Sequence, residues 1–211
     1  MSDEQAIEAE EEERQLETEL LERREAALAN VVKFGDPVLK SVASPVASFG
    51  PELRAEIERM IAIMRDGMGV GLAATQLGVL RRLLVFQSSS DSEPAALVNP
   101  VIEWLSDEGS LAEEGCLSLP RVSMDVERPL HVRVRGRDGE GGPVEITASG
   151  LEARVLQHEI DHLDGILILD RTSRDQRKGA LRALREGGSY SPPGDDEAGD
   201  EGELREPRTD A

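Results

Sequence analysis

Residues 149–165 read SGLEARVLQHEIDHLDG, and the spacing of their apolar side chains sets the local structure. Leu151, Val155, Leu156, Ile160 and Leu163 recur at steps of three and four, the period of one helix face. Ser149 can cap the start and Gly165 can end it. Side chains four apart on a helix stand about 5–6 Å from each other. His158 and His162 therefore aim two imidazoles at one place, and Glu159 sits beside the first of them.

Two imidazoles at this spacing, with an adjacent glutamate, form the HExxH arrangement of metal-dependent hydrolases. The bland alternative is a pair of surface histidines on an acidic helix. A catalytic metal commonly takes three protein ligands and keeps one position open. The chain has only one further histidine, His131, in a strand-like run where it reads as a half-buried polar residue. It has one cysteine, Cys116, in LAEEGCLSLP (111–120). A lone cysteine is usually a small buried hydrophobe. Here it follows Gly115 at a strand edge, and a thiolate suits a divalent transition metal.

The 211 residues suggest one domain with extensions. Apolar residues make up 38% and aromatics 2%, so a core must be built from Val, Leu, Ile and Ala. The net charge of −19 sits mostly in the tails. Residues 1–30 hold 11 acids and 3 bases, and residues 186–211 hold 9 acids and 2 bases. One cysteine excludes an intramolecular disulfide and fits a reducing cytoplasm. The acidic start is the opposite of a secretory signal, and no apolar run approaches the roughly 20 residues of a membrane span.

Residues 1–30 read as an acidic extension, helical or disordered, and residues 186–211 as a disordered Gly-, Pro- and acid-rich tail. Between them lies a catalytic domain over 31–170, then a basic, helical segment over 171–185 with 6 bases and 1 acid. PELRAEIERMIAIMRDG (51–67) has helical period and a stop at Gly67. RRLLVFQ (81–87) is a strand, and PAALVNPVIEWL (94–105) a strand and turn. HVRVRGRDGEGGPVEITA (131–148) alternates on both sides of a Gly-rich turn, as a hairpin does. The class is α+β, with antiparallel strands packed around a central HExxH-bearing helix. GVGLAATQ (69–76) pairs two glycines around Val70, which lets another backbone come close. It ends on the amide of Gln76.

GVGLAATQ (69–76), EGCLS (114–118) and QHEIDH (157–162), in this order, resemble the three signature motifs of bacterial peptide deformylases. FGDPVLKSVASPV (34–46) is similar to that family's N-terminal segment. The resemblance covers about residues 31–170. It implies hydrolysis of the N-formyl group from formyl-methionyl nascent peptides, in the cytoplasm, without membrane or DNA. It implies one divalent ion on Cys116, His158 and His162, with water in the fourth position. Iron(II) is the ion implied, with zinc, nickel or cobalt able to substitute. Glu159 is implied as the general base and acid. The Gln76 amide and the Leu117 N–H are implied as oxyanion donors. By the same analogy Val70 and Gly71 pair with the peptide backbone, and Val155 and His158 line the methionine pocket. Glu114, paired with Arg128, is implied to hold the Cys loop. Some relatives carry an arginine near Ser123, absent here, which leaves the outer subsites open. A basic C-terminal helix docks on the ribosome in some relatives; residues 171–185 either do likewise or form a solvated helix that closes the domain, and the acidic tail after them opposes RNA binding. Two readings rival it: an HExxH endopeptidase, which needs the same metal and base, and an inactive relative kept as a ribosome- or partner-binding module, whose signature, loss of a ligand or of Glu159, is absent.

Overall fold

A computed structural model of the chain describes residues 3–89 and 92–193. Four helices and seven strands follow in the order α1 (Asp3–Leu28), α2 (Pro51–Asp66), β1 (Gly71–Ala73), β2 (Leu83–Phe86), β3 (Ala95–Leu105), β4 (Gly109–Cys116), β5 (Leu119–Pro129), β6 (His131–Arg137), β7 (Pro143–Ser149), α3 (Gly150–Leu163) and α4 (Arg174–Glu186). β1-β2-β3-β6-β7 form one antiparallel sheet, and β4-β5 form a second, two-stranded one.

β2 explains the layering. Leu83 and Val85 face the apolar cluster made with Leu53, Ile57, Met60 and Met64 of α2. Leu84 and Phe86 face the cluster made with Val155, Leu156 and Ile160 of α3. A strand buried on both sides has no reason to alternate with polar residues. That is why 83–86 reads as an unbroken apolar run. The β4-β5 hairpin closes the far side with α4 through Val122, Met124, Val126, Ala180 and Ala183.

Four expectations are corrected in detail. The strand and turn at 94–105 is one strand, kinked at Asn99, whose φ is +53°. The Asn99 amide accepts from the Val46 N–H and donates to the Val46 carbonyl, so it fastens the entry loop instead of turning the chain. Ser149 stands at the N-cap of α3, but its hydroxyl is hydrogen-bonded to the His131 ring rather than to the helix. The glycine pair of 69–71 makes room for side chains of this chain and not only for backbone. A side chain on Gly71 would meet Glu159, and one on Gly69 would meet Leu117.

Disorder does not begin at residue 186. The Tyr190 N–H donates to the Arg121 carbonyl, and the Ser123 N–H donates to the Tyr190 carbonyl. The Tyr190 ring packs on Gly179, where no side chain would fit. Composition weighed the glycines, prolines and acids, while one aromatic ring decided the outcome. The remainder of the expected disordered tail, 194–211, lies outside the described residues. Helix α1 is exposed along residues 11–26, and Ala27 and then Val31 enter the core. Among the described residues no helix is long and apolar enough to cross a membrane.

Candidate metal and active site

Cys116 is the last residue of β4, at the tip of the hairpin, and α3 carries both histidines. The Cys116 sulfur lies 3.2 Å from Nε2 of His162. The two imidazole rings are 5.0 Å apart, centre to centre, and inclined by 66°. One ligand atom from each of Cys116, His158 and His162 lies within 4.8 Å of the others. Folding thus joins a sulfur to a helix face 42 residues away in sequence.

The surroundings favour positive charge between these atoms. Burial alone pushes the Cys116 thiol up, but the charge of His162 and hydrogen bonds with both rings hold it well below the usual thiol range. Burial pushes His158 down, yet its hydrogen bonds to Cys116 and Glu114 raise it to about 10. An environment that keeps a thiolate and stabilises cationic charge beside it is one that a divalent cation can occupy.

Glu114 orients His158, accepting from Nδ1 at 2.9 Å, so Nε2 is left for the site. The carboxylate is itself gripped by Arg128, at 2.6 Å from Nε and 2.9 Å from Nη2, and by Arg154 at 2.7 Å. Burial would push Glu114 up, but the hydrogen bonds from His158 and Arg128 hold it at about 2. Arg128 continues to Asp161 at 2.8 Å, which Arg171 also grips. Buried carboxylates on a fork of guanidinium donors keep their charge and their geometry.

Glu159 is 4% exposed and lies against Gly71. Among the described residues its Oε2 and Nδ1 of His162 are the buried side-chain atoms with no hydrogen-bond partner. Burial raises the Glu159 carboxyl, against the opposing charges of His158 and His162. Gln76 is fixed from one end: its Oε1 accepts from the Ala73 N–H at 2.9 Å. Its Nε2 is thereby turned toward the Cys116 sulfur at 3.5 Å and the Ser118 hydroxyl at 3.4 Å. Leu117 occupies the turn between β4 and β5.

These groups meet at a cavity of about 490 Å³ whose walls include Met68, Val70, Leu151, Val155 and Leu119. β1 borders it as the outermost strand of its sheet. The Val70 carbonyl already accepts from the Gln87 N–H at 2.8 Å. In an antiparallel ladder alternate residues face opposite sides. Gly71, next along, therefore turns its N–H and C=O away from β2, as Ala73 turns its N–H to Gln76. The backbone pairing expected of Val70 and Gly71 falls on Gly71, while Val70 contributes a half-exposed side chain. His131 is hydrogen-bonded to Ser149 and is not in the metal-binding group. Sequence reading missed Arg154, Asp161 and Arg171. Arg154 lies four residues before His158 and Asp161 three after, so helix spacing alone puts them on neighbouring positions.

The sequence model of the family described as "Polypeptide deformylase" matches residues 28–178. The peptide deformylase of Parafrankia sp. is 48% identical over 153 residues, which are 72% of this chain and 83% of that protein. The crystal structure of the peptide deformylase from Thermotoga maritima superposes with a TM-score of 0.66 at 44% identity, covering 68% of this chain and 96% of that one. The peptide deformylase of Synechococcus elongatus, solved in complex with actinonin, gives 0.70 at 39% identity over 75% and 88%. Matched through its whole middle and at this level of identity, the chain belongs to the polypeptide deformylase family and is an enzyme of that kind.

Proposed function

We propose that the chain hydrolyses the formyl amide of formyl-methionine at the start of newly made polypeptides, releasing formate and a free amine. One divalent ion would be held by the Cys116 sulfur and the Nε2 atoms of His158 and His162. The observation that carries this reading is a sulfur and two imidazoles gathered together, with Cys116, His158 and the unpartnered buried carboxylate of Glu159 lining one cavity. One thiolate with two imidazoles suits a first-row transition ion. Iron(II) is the ion we assign, with zinc, nickel or cobalt able to substitute. When bound, the ion supplies Lewis acidity, which polarises a carbonyl and lowers the pKa of water toward about 7.

The chain's own groups divide the rest of the work. Glu159 takes the proton of the attacking water at its free Oε2 and passes it to the departing amine. Burial raises its pKa above the ordinary carboxylate range, the direction that suits a group that must both accept and release a proton. Gln76 Nε2 and the Leu117 N–H donate to the oxygen that gains charge in the tetrahedral state. Such a donor contributes about 2.7–4 kcal/mol of barrier lowering. Gly71 offers main-chain groups on the open side of β1, so the peptide can add as a strand without its sequence being read. Val155 and Leu151 give the methionine side chain an apolar wall. Glu114 and Arg128 hold the His158 ring in one tautomer.

The test is formate release from formyl-Met-Ala-Ser by anaerobically purified protein, with metal analysis, for wild type and Glu159→Ala. The variant should keep its metal and lose about 10²–10⁴ in rate. Wild-type protein that holds metal yet releases no formate, or that cleaves unblocked peptides, would overturn the reading.

A further inference from the structure

The cavity has a wall that the family match does not include. Arg24 of α1 lines it together with Met68, Gly69 and Val70, whereas the match begins at residue 28. Helix α1 carries 11 acids, so a free cation on it needs an explanation. Helical neighbours of residue 24 stand at three and four residues on either side. Those positions are Leu20, Leu21, Ala27 and Leu28, none of them acidic. Arg23, one residue earlier, is spent on Asp66 of α2. Arg24 is exposed and makes no hydrogen bond or ion pair among the described residues. A second cation, Arg121, lines the same cavity and holds a left-handed backbone with φ +60°. Of the lining carboxylates, Glu114 is neutralised by Arg128 and Arg154, Glu159 is buried, and Glu113 stands exposed.

The direction of the substrate follows from the reaction assigned above, on which this inference rests. The formyl end must reach Glu159, which lies against Gly71. Later residues must then run out past Val70, Gly69 and Met68, whose side chain is 76% exposed. That path is antiparallel to β1 and ends at α1. We propose that Arg24 is a substrate-binding residue, which selects formyl peptides carrying acidic side chains two to three residues after the methionine. The N-terminal helix is then part of the substrate site and not only an appendage.

The probes are formyl-Met-Ala-Asp-Asp-amide, formyl-Met-Ala-Ala-Ala-amide and formyl-Met-Ala-Lys-Lys-amide, tested on the full-length nickel-loaded enzyme. Wild type should show the lowest KM for the Asp-Asp peptide. Arg24→Gln should raise that KM about threefold, the scale of one exposed ion pair, with kcat and the Ala-Ala KM unchanged. Arg24→Lys should keep most of the preference, and 0.5 M salt should erase it in the wild type. A structural role would move all three peptides together. Formate release with an Asp-Asp to Lys-Lys ratio that Arg24→Gln leaves unchanged overturns this inference alone. No release from any peptide overturns the deformylase reading and this inference with it.

Discussion

Gly71→Ala tests how tightly Glu159, the proposed general base, is held. An alanine Cβ there would stand 2.4 Å from Oε1 of Glu159 and 2.8 Å from both Cδ and Cγ. Ordinary contact begins at 3.4 Å and even tight contact at 3.0 Å, so the carboxylate must withdraw by about 0.6–1.0 Å. Rotating the carboxylate clears the oxygen but not Cδ and Cγ, so the whole side chain must shift. The helix beneath cannot follow, because Leu156, Ile160 and Leu163 are fixed at 0%, 3% and 0% exposure. Gly71 does not have the left-handed backbone that disfavours side chains, so the methyl group itself is the whole perturbation. A misplacement of about 1 Å costs on the order of 10²-fold in rate, which is about 2.7 kcal/mol of barrier. The assay is kcat/KM for formate release, beside metal content and a urea midpoint to certify folding. Gly69→Ala is the control: its Cβ meets only a flexible Leu117 methyl at 3.1 Å, with backbone no nearer than 3.4 Å. Folded, metal-loaded Gly71→Ala within about threefold of wild type would refute the reasoning.

Arg128→Met leaves Glu114 buried with Arg154 and the His158 ring, and Asp161 buried with Arg171. Stranding buried charge in this way costs about 3–5 kcal/mol, and the surviving arginines put the expectation at the lower end. Urea unfolding measures it, and a midpoint equal to wild type would refute the network's role. Asp170 supplies a pH test. Burial would raise its pKa, but bonds from Lys40, the Leu167 N–H and Arg177 bring it below the ordinary 3.8. A depressed carboxylate adds stability above its unfolded pKa, and that stability is lost as pH falls through the folded value. Asp170→Asn should therefore unfold earlier than wild type at pH 7, with the gap narrowing as the pH falls below the ordinary 3.8; a gap that persists unchanged would be inconsistent with this assignment.

The helices and the β6-β7 hairpin were legible because their periodicity is local. Two things were not. The β4-β5 hairpin has strands whose burial alternates only loosely, with Glu113 exposed beside buried Glu114. A charged residue on an inward position masks the strand signal until its partners, Arg128 and Arg154, are known. The site divided in the same way. His158, Glu159 and His162 announce themselves by helix spacing. Cys116 has no helix spacing to mark it and stood out only as the one cysteine of the chain; the roles expected of Cys116 and Gln76 came through the resemblance of whole motifs. The glycines of GVG were read as room for backbone, and a side chain 88 residues later, Glu159, also needs the room that Gly71 leaves. Long-range packing of this sort leaves the glycine visible and its reason hidden.

The sulfur rides on a two-stranded hairpin, and both imidazoles on the helix packed beneath the larger sheet. An ion held by them, as proposed above, would act as a clasp between separately built parts of the molecule, so its binding energy would also be cohesion between those parts. The hairpin tip carries Leu117 and, just beyond it, Arg121 and Ser123 along the cavity rim. Oxidation of that one sulfur would thus unfasten the rim together with the chemistry, making the shape of the enzyme, and not just its speed, answerable to the redox balance around it.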